Sequence, residues 1–470
     1  MTIKIEENKS NVQRLFGTNG VRGIYGRELT FPLVMDLTYS LATYFKTGPI
    51  VLGYDGRKSS PLLSNIVSAV LNAGGLDVIM AGQIPTPCLQ YAAKTKKCGG
   101  GIMITASHNP PEYNGIKPCA SDGVEISRED ELKVEEIYYT RKFSKTDQTN
   151  KTLADQNITN EYMDKVLSLI DVQKIQSKAF KVVMDLGNGV QTLVAPYLLK
   201  KLGCQVFTMN SNVDGDFPGR GPEPTVDNLT SLSNMVRDLN ADFGVAYDGD
   251  GDRSLFCDEK GNVHPGDKTA AVLIKYLING KLDGAEIICP VNTTLNVQLV
   301  ADEGNSKVVY TKVGSVEVSR EMVKRNAPIG LEENGGFMYG KLNQVRDGAM
   351  TTALVLDMLT SFSSTNNITA NSFSEIIASL KKLAQFKTKF KCPSKKIANK
   401  IVTKCLEHGS PKKIEKLDGA KIWIDDESWI MIRPSGTEPL VRMYGESTSR
   451  TLLDSKVREY TRIIESELIK

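Results

Sequence analysis

Two short runs in this chain carry residue types that do chemistry. Residues 105–110 read Thr-Ala-Ser-His-Asn-Pro, and residues 248–253 read Asp-Gly-Asp-Gly-Asp-Arg. The first offers a hydroxyl nucleophile, Ser107, in a stiff polar loop with His108 beside it. The second sets Asp248, Asp250 and Asp252 at alternate positions, a spacing that lets three carboxylates converge on one hard cation. A serine that carries a phosphoryl group needs such a cation to neutralise charge during transfer. Together the runs point to phosphoryl transfer.

Each run has a rival reading. The aspartates match an EF-hand calcium loop at several ligand positions, but Arg253 stands where that loop requires Gly, and the flanks read as strands. An acidic surface turn would set like charges side by side without a partner, which is costly. Ser107 has the bland alternative of an ordinary loop serine. No acid in the same loop completes a Ser-His-acid triad, although partners for acyl transfer can lie far off in sequence.

Three further stretches could hold a ligand. Residues 433–439, Arg-Pro-Ser-Gly-Thr-Glu-Pro, supply a guanidinium, two hydroxyls and backbone amides freed by a glycine. That set suits a phosphate dianion, with a plain hairpin turn as the alternative. Residues 16–23, Phe-Gly-Thr-Asn-Gly-Val-Arg-Gly, let backbone approach a ligand closely and carry Arg22, but they do not form a GxGxxG motif. Glu332 and Asn334 could read sugar hydroxyls or form a charged turn.

These motifs need elements that bring them together, and one pattern of strand, helix, strand, helix, strand occurs three times. The first copy has strand-like runs at 49–54, 78–80 and 101–105, a helix near 88–97, and a helix presenting Leu62, Leu63, Ile66, Val67 and Val70. Its third strand delivers Ser107. The second copy has strands at 181–185, 205–207 and 243–247, a helix at about 193–202, and another presenting Leu229, Leu232, Val236 and Leu239. It delivers Asp248. The third has strands at 286–291, 307–310 and 328–331 with helices at about 295–302 and 316–324, and it delivers residues 332–335.

Such alternation predicts α/β units with mainly parallel sheets, whose ligands gather at the carboxyl ends of strands. Polar connections are predicted at 141–160 and 361–374. The last part carries strands at 421–424, 428–432 and 440–444 and a helix near 452–469, which predict a small antiparallel sheet with helices on one side. The predicted domains are 1–150 with the Ser107 loop, 151–258 with the acidic loop, 259–368 with the Glu332 loop and 369–470 with the Arg433 loop, around a shared cleft.

Composition sets the class. A chain of 470 residues is too long for one core. Apolar content of 40% and charged content of 24% are ordinary for a globular protein. A net charge of +3 gives no bulk attraction to nucleic acid or an anionic membrane. Residues 1–10 are polar and unlike a secretory signal, and no stretch approaches the roughly 18 apolar residues of a membrane helix. The eight cysteines contain no CxxC pair, so they read as free thiols of a reducing cytoplasm. The expected partner is a small phosphorylated molecule, and the expected assembly a monomer or homodimer.

In order and spacing, these motifs resemble those of the α-D-phosphohexomutase family over essentially the whole chain. The resemblance implies three similar mixed-sheet α/β domains followed by a smaller α+β domain like the TATA-binding fold. It implies that Ser107 is a phosphoserine, and that its phosphate with Asp248, Asp250 and Asp252 holds one Mg²⁺. Arg253 would lie beside that metal. Arg22, His108 and Lys117 would surround the transferring group as acid/base or charge-stabilising residues. Gly314 and Ser315 would form a sugar-specificity loop, Glu332 and Asn334 would grip sugar hydroxyls, and Arg433, Ser435, Gly436 and Thr437 would hold the non-reacting phosphate. The implied reaction interconverts hexose 6-phosphate and hexose 1-phosphate through a hexose 1,6-bisphosphate, which also serves as activator.

Two departures from the family pattern touch sugar recognition. Where the family commonly has Gly-Glu-x-Ser-Gly-His, Asn334 replaces the Ser and Gly336 the His, and Ser315 stands where many members carry His. Residues 16–23, 332–336 and 433–439 look most like the archaeal-type phosphoglucosamine mutases, which implies conversion of glucosamine 6-phosphate to glucosamine 1-phosphate. Phosphomannomutase/phosphoglucomutase activity is the alternative. A sugar-phosphate phosphatase would have no need of the Arg433 loop, and a non-catalytic sugar-phosphate-binding relative would typically lose Ser107 or an aspartate.

Overall fold

A parallel three-strand unit is built three times, each time in the same spatial order. In the first sheet Ile50–Tyr54 lies between Val78–Gln83 and Gly100–Ile104. Lys181–Asp185 lies between Gln205–Met209 and Phe243–Tyr247, and Glu286–Pro290 between Lys307–Thr311 and Ile329–Leu331. The first-built strands are continuous apolar runs because helices cover both sheet faces. Ile50, Val51, Leu52, Val182, Val183 and Met184 are all fully buried. The computed structural model describes residues 14–144, 146–148, 150–362, 372–435 and 439–469.

Each third strand is followed by an antiparallel return: Tyr113–Ala120, Ser254–Asp258 and Phe337–Tyr339. Pattern alone predicts mainly parallel sheets; the returns make them mixed. They also set the site. The Ser107, Asp248 and Glu332 motifs are the turns between a parallel strand and its return, so a hydrogen-bonded ladder pins both ends of each turn.

Two details differ from the sequence pattern. Leu62, expected on the buried face of its helix, is 47% exposed, while Leu63, Val67 and Leu71 face the core. The polar connection 141–160 contains the strand Thr152–Ala154, which pairs with Val78–Met80 at the sheet edge. That strand is exposed and only three residues long, too short to show a strand period. Of the predicted connection 361–374, residues 363–371 lie outside the described residues.

The last sheet is fully antiparallel, in the order Ala384–Lys391, Leu440–Ser447, Trp429–Pro434, Ala420–Trp423, Lys413–Glu415. Helices Lys395–Leu406 and Arg450–Leu468 share one core with it through Ile401, Cys405, Ile430, Ile432, Val441 and Leu453. Among the described residues, no helix is long and apolar enough to cross a membrane.

Candidate active site

Ser107 has a φ of 51°, in the left-handed region. That conformation costs a residue with a side chain about 1–2 kcal/mol. The surrounding loop imposes it. Ser107 N donates to Thr105 Oγ1 at 2.8 Å, and Thr105 Oγ1 donates to Asp55 Oδ2 at 2.7 Å. The buried Arg57 gathers the loop carbonyls: Nη2 donates to the oxygens of Ser107 at 2.8 Å and Asn109 at 2.6 Å, and Nη1 to those of Pro110 and Tyr113. Asp55 Oδ2 holds Arg57 Nε at 3.1 Å.

The fold places the Asp248–Asp252 loop against this serine. Ser107 Oγ donates to Asp248 Oδ2 at 2.9 Å. The three aspartates are buried, and their ligand oxygens lie within 4.8 Å of one another. Asp248 Oδ1 accepts from Arg253 N at 3.1 Å, and Asp250 Oδ2 from Thr86 Oγ1 at 2.6 Å. Asp252 Oδ2 accepts from Lys117 Nζ at 2.8 Å and Arg346 Nη2 at 2.6 Å. The Oδ1 atoms of Asp250 and Asp252 accept from no described residue.

The charges follow from this packing. Burial, with Asp252 and Asp250 alongside, pushes the Asp248 carboxyl well above the ordinary range. Burial would raise Asp252 too, but Arg346, Lys117 and Arg253 hold it far below. Three crowded carboxylates, two with an oxygen that accepts no hydrogen bond among the described residues, are a donor set for a hard divalent cation, and the residues present fit Mg²⁺.

The other expected residues of the first two motifs converge here. His108 Nδ1 lies 3.4 Å from Ser107 Oγ. Burial, then Arg253, Arg22 and Arg346, hold its imidazole well below the usual value, so it is neutral at neutral pH. Arg22 donates to Ala106 O at 3.1 Å, to Asn109 Oδ1 at 2.9 Å and to Asn19 O at 3.2 Å, and burial lowers its pKa to about 10. Lys117 sits on the return strand, 2.8 Å from Asp252 and 3.6 Å from Asp250. Burial alone would lower its pKa, but the two carboxylates raise it. Arg253 Nε lies 3.9 Å from both Asp248 and Asp252.

The third motif joins this cluster through an ion pair, and the fourth meets the loop at Gly314 through Asp418. Glu332 Oε2 accepts from Arg346 Nη1 at 2.9 Å, so one guanidinium spans Glu332 and Asp252. Asn334 Oδ1 accepts from Gly336 N at 3.3 Å, within its own turn. Gly314 has φ 143° and ψ 139°, backbone that a side chain rarely tolerates. The buried Ser315 Oγ accepts from Asn19 Nδ2 at 3.2 Å, which brings this loop onto residues 16–23. Arg433 Nε lies 2.9 Å from Asp418 Oδ2, and the same oxygen accepts from Val313 N at 3.0 Å. Ser435 N donates to Leu440 O at 2.8 Å. Gly436 and Thr437 lie outside the described residues.

Sequence reasoning missed Asn19, Thr86, Arg346 and Asp418, and assigned Asp55 and Arg57 no role. Asp55-Gly56-Arg57 follows the first strand as Asp185 and its glycines follow the second, which was a usable hint. Arg346, in Val-Arg-Asp-Gly, gives no local signal.

Comparison with known proteins agrees with this architecture. Models of the phosphoglucomutase/phosphomannomutase family match in order: alpha/beta/alpha domain I over residues 13–145, domain II over 160–261, domain III over 265–383 and the C-terminal domain over 387–459. The chain is 38% identical over 462 residues to a phosphoglucosamine/phosphogalactosamine mutase of Sulfurisphaera tokodaii, covering 97% of this chain and 100% of that protein. It is also 38% identical over 457 residues to a phosphoglucomutase/phosphomannomutase of Thermococcus kodakarensis, covering 95% and 96% of the two chains. The crystal structure of a phosphoglucomutase/phosphomannomutase family protein from Burkholderia thailandensis shares the fold, with a TM-score of 0.85 at 23% identity over 97% of this chain and 98% of that one. With four family domains in series and full-length relatives at this identity, the chain belongs to the phosphoglucomutase/phosphomannomutase family, the α-D-phosphohexomutases, and is an isomerase.

Proposed function

We propose that the chain interconverts a hexose 6-phosphate and a hexose 1-phosphate, with the glucosamine phosphates as leading substrates. The observation that carries this reading is the Ser107 hydroxyl, held 2.9 Å from Asp248 among three buried aspartates. Phosphorylated Ser107 gives its phosphoryl group to a sugar hydroxyl. The bond from phosphorus to Oγ breaks, a bond from phosphorus to the sugar oxygen forms, and the hydroxyl proton ends on Oγ. The resulting 1,6-bisphosphate reorients and returns its other phosphoryl group to Ser107. Added bisphosphate would load the serine in the same way.

Asp248, Asp250 and Asp252, with the phosphate on Ser107, would hold one Mg²⁺, which supplies charge neutralisation for the group in transfer. Arg22 and Lys117 remain cationic at neutral pH and stabilise the same charge. The neutral His108 imidazole, 3.4 Å from Oγ, can accept a proton. Arg253 stands beside the metal loop. Gly314, Ser315, Glu332 and Asn334 face sugar selection, and Arg433, Ser435, Gly436 and Thr437 hold the phosphate that is not reacting. A cleft closed by four domains would exclude water from the phosphoserine.

The glucosamine reading is supported by the runs at 16–23, 332–336 and 433–439 and by the name of the Sulfurisphaera relative. The Thermococcus relative's name supports mannose and glucose phosphates as the second reading. The eight cysteines are free and buried, which suits a reducing compartment, and we place the activity in the cytoplasm. Phosphorus NMR with Mg²⁺ and a hexose 1,6-bisphosphate tests the assignment, with glucosamine, mannose and glucose monophosphates in separate tubes. Fastest isomerisation of the glucosamine ester is expected. Preference for mannose or glucose would select the second reading. Inorganic phosphate with no isomer in any tube would overturn the mutase assignment in favour of a phosphatase.

A further inference from the structure

Arg346 lies on none of the predicted motifs and is 4% exposed. Its Nη1 donates to Glu332 Oε2 at 2.9 Å and its Nη2 to Asp252 Oδ2 at 2.6 Å. Two strong charge-assisted bonds from separate nitrogens of a planar guanidinium fix both carboxylates at set angles, which the point charge of a lysine ammonium does not. With Lys117 also on Asp252 Oδ2, the Oδ1 atom of Asp252 accepts no hydrogen bond among the described residues and faces only the Arg253 Nε at 3.9 Å.

The space for this side chain is made by a glycine. A Cβ on Gly336 would sit 2.4 Å from Arg346 Cδ and 2.8 Å from Cγ, inside any real contact distance. Gly336 is not among the positive-φ glycines, so its backbone would accept alanine; the stem of Arg346 would not. In this chain that volume belongs to Arg346.

We propose that Arg346 is a positioning residue that couples the sugar-reading Glu332 to the cation-binding Asp252, and that Gly336 exists to admit it. The inference rests on the function proposed above. Arg346 turns Asp252 so that Oδ1 is presented to the metal, and it sets the angle at which Glu332 meets a sugar hydroxyl. Disturbing it therefore disturbs metal and sugar together, although it need touch neither.

Two variants of the full-length protein test this. Arg346→Lys keeps the charge and loses the fork; Gly336→Ala keeps the arginine and displaces its stem. Mn²⁺ binding, read by electron paramagnetic resonance without turnover, is expected to weaken roughly tenfold in each, the usual effect of losing a partner behind a metal ligand. KM for the sugar phosphate is expected to rise several-fold in the same variants. Should Arg346→Lys fail to fold, Gly336→Ala carries the test alone. Unchanged Mn²⁺ affinity overturns the coupling, whether KM moves or only the melting temperature does. A wild type that binds Mn²⁺ and isomerises no sugar phosphate would sink the proposed function instead. An active wild type with unaltered variants would sink this inference alone.

Discussion

Arg57 Nη2 donates to the main-chain oxygen of Ser107 across 2.8 Å, while Asp55 holds the guanidinium from the other side at 3.1 Å. The strained backbone of Ser107 is thus held by a buried ion pair from the turn that follows the neighbouring strand. Strain of this kind persists only where its surroundings over-determine it. Arg57→Lys keeps one charge but cannot reach four carbonyls and Asp55 together. Each charge-assisted hydrogen bond lost in this way costs about 1.5–3 kcal/mol. A clear fall in melting temperature is expected, with slower loading of Ser107 by a bisphosphate, followed by intact mass.

Ser107→Ala should abolish isomerisation while sparing the fold, and it should weaken metal binding without abolishing it, because the phosphate ligand is lost while Asp248, Asp250 and Asp252 remain in place. Mn²⁺ titration and circular dichroism check the second half. Retained mutase activity would remove the serine from its proposed role.

Thr86 is the partner of Asp250, with Oγ1 donating to Oδ2 at 2.6 Å. Thr86→Val keeps the shape and removes the hydrogen bond on Asp250 Oδ2, leaving that buried oxygen only the Lys117 ammonium at 3.6 Å, at a cost of about 1–3 kcal/mol. Metal affinity is expected to fall roughly tenfold, as for other partners of ligating carboxylates. A Mn²⁺ titration of the variant measures it.

Asp418→Asn should act on the far phosphate. The Asp418 carboxylate pairs with Arg433 at 2.9 Å and accepts from Val313 N at 3.0 Å, so it orients the clamp against the Gly314 loop. The amide can keep the Val313 bond but not the charge. A several-fold higher KM for sugar monophosphate with little change in kcat is the expected split. A lowered kcat at unchanged KM would contradict a binding role.

Asp267 should make stability depend on pH. Burial, then the nearby Glu446 and Glu333, push its pKa from 3.8 up to about 7, against a bond from Thr294 N and the charge of Lys268. A carboxyl raised in the fold contributes stability that is full below about 4 and is lost as pH rises through about 7. Holding it ionised at pH 8 costs up to about 4 kcal/mol. Asp267→Asn should therefore be more stable than wild type at pH 8, with the gap closing toward pH 4. Denaturant unfolding at the two pH values compares them, and a gap that does not change with pH would refute the assignment.

Much of this protein is legible in its letters for one physical reason: the signals are local. A strand buried on both faces must be a continuous apolar run, so Lys181–Asp185 and Phe243–Tyr247 are readable directly. Three carboxylates at alternate positions announce a cation because nothing else relieves their repulsion so simply. The order of motifs therefore identifies the family and the three-fold repeat. The antiparallel returns are less legible. Tyr113–Ala120 carries Asn114, Gly115, Lys117 and Pro118, and its burial comes from neighbours remote in sequence.

Tertiary structure alone decided which charges meet. Arg346 bridges Glu332 and Asp252, Thr86 backs Asp250, and Asn19 reaches Ser315. Each pair joins different segments, and no spacing within one segment encodes a contact made only when the chain folds. The same holds for Gly336, whose missing side chain looks like a lost recognition residue in sequence. In the fold it is room for an arginine.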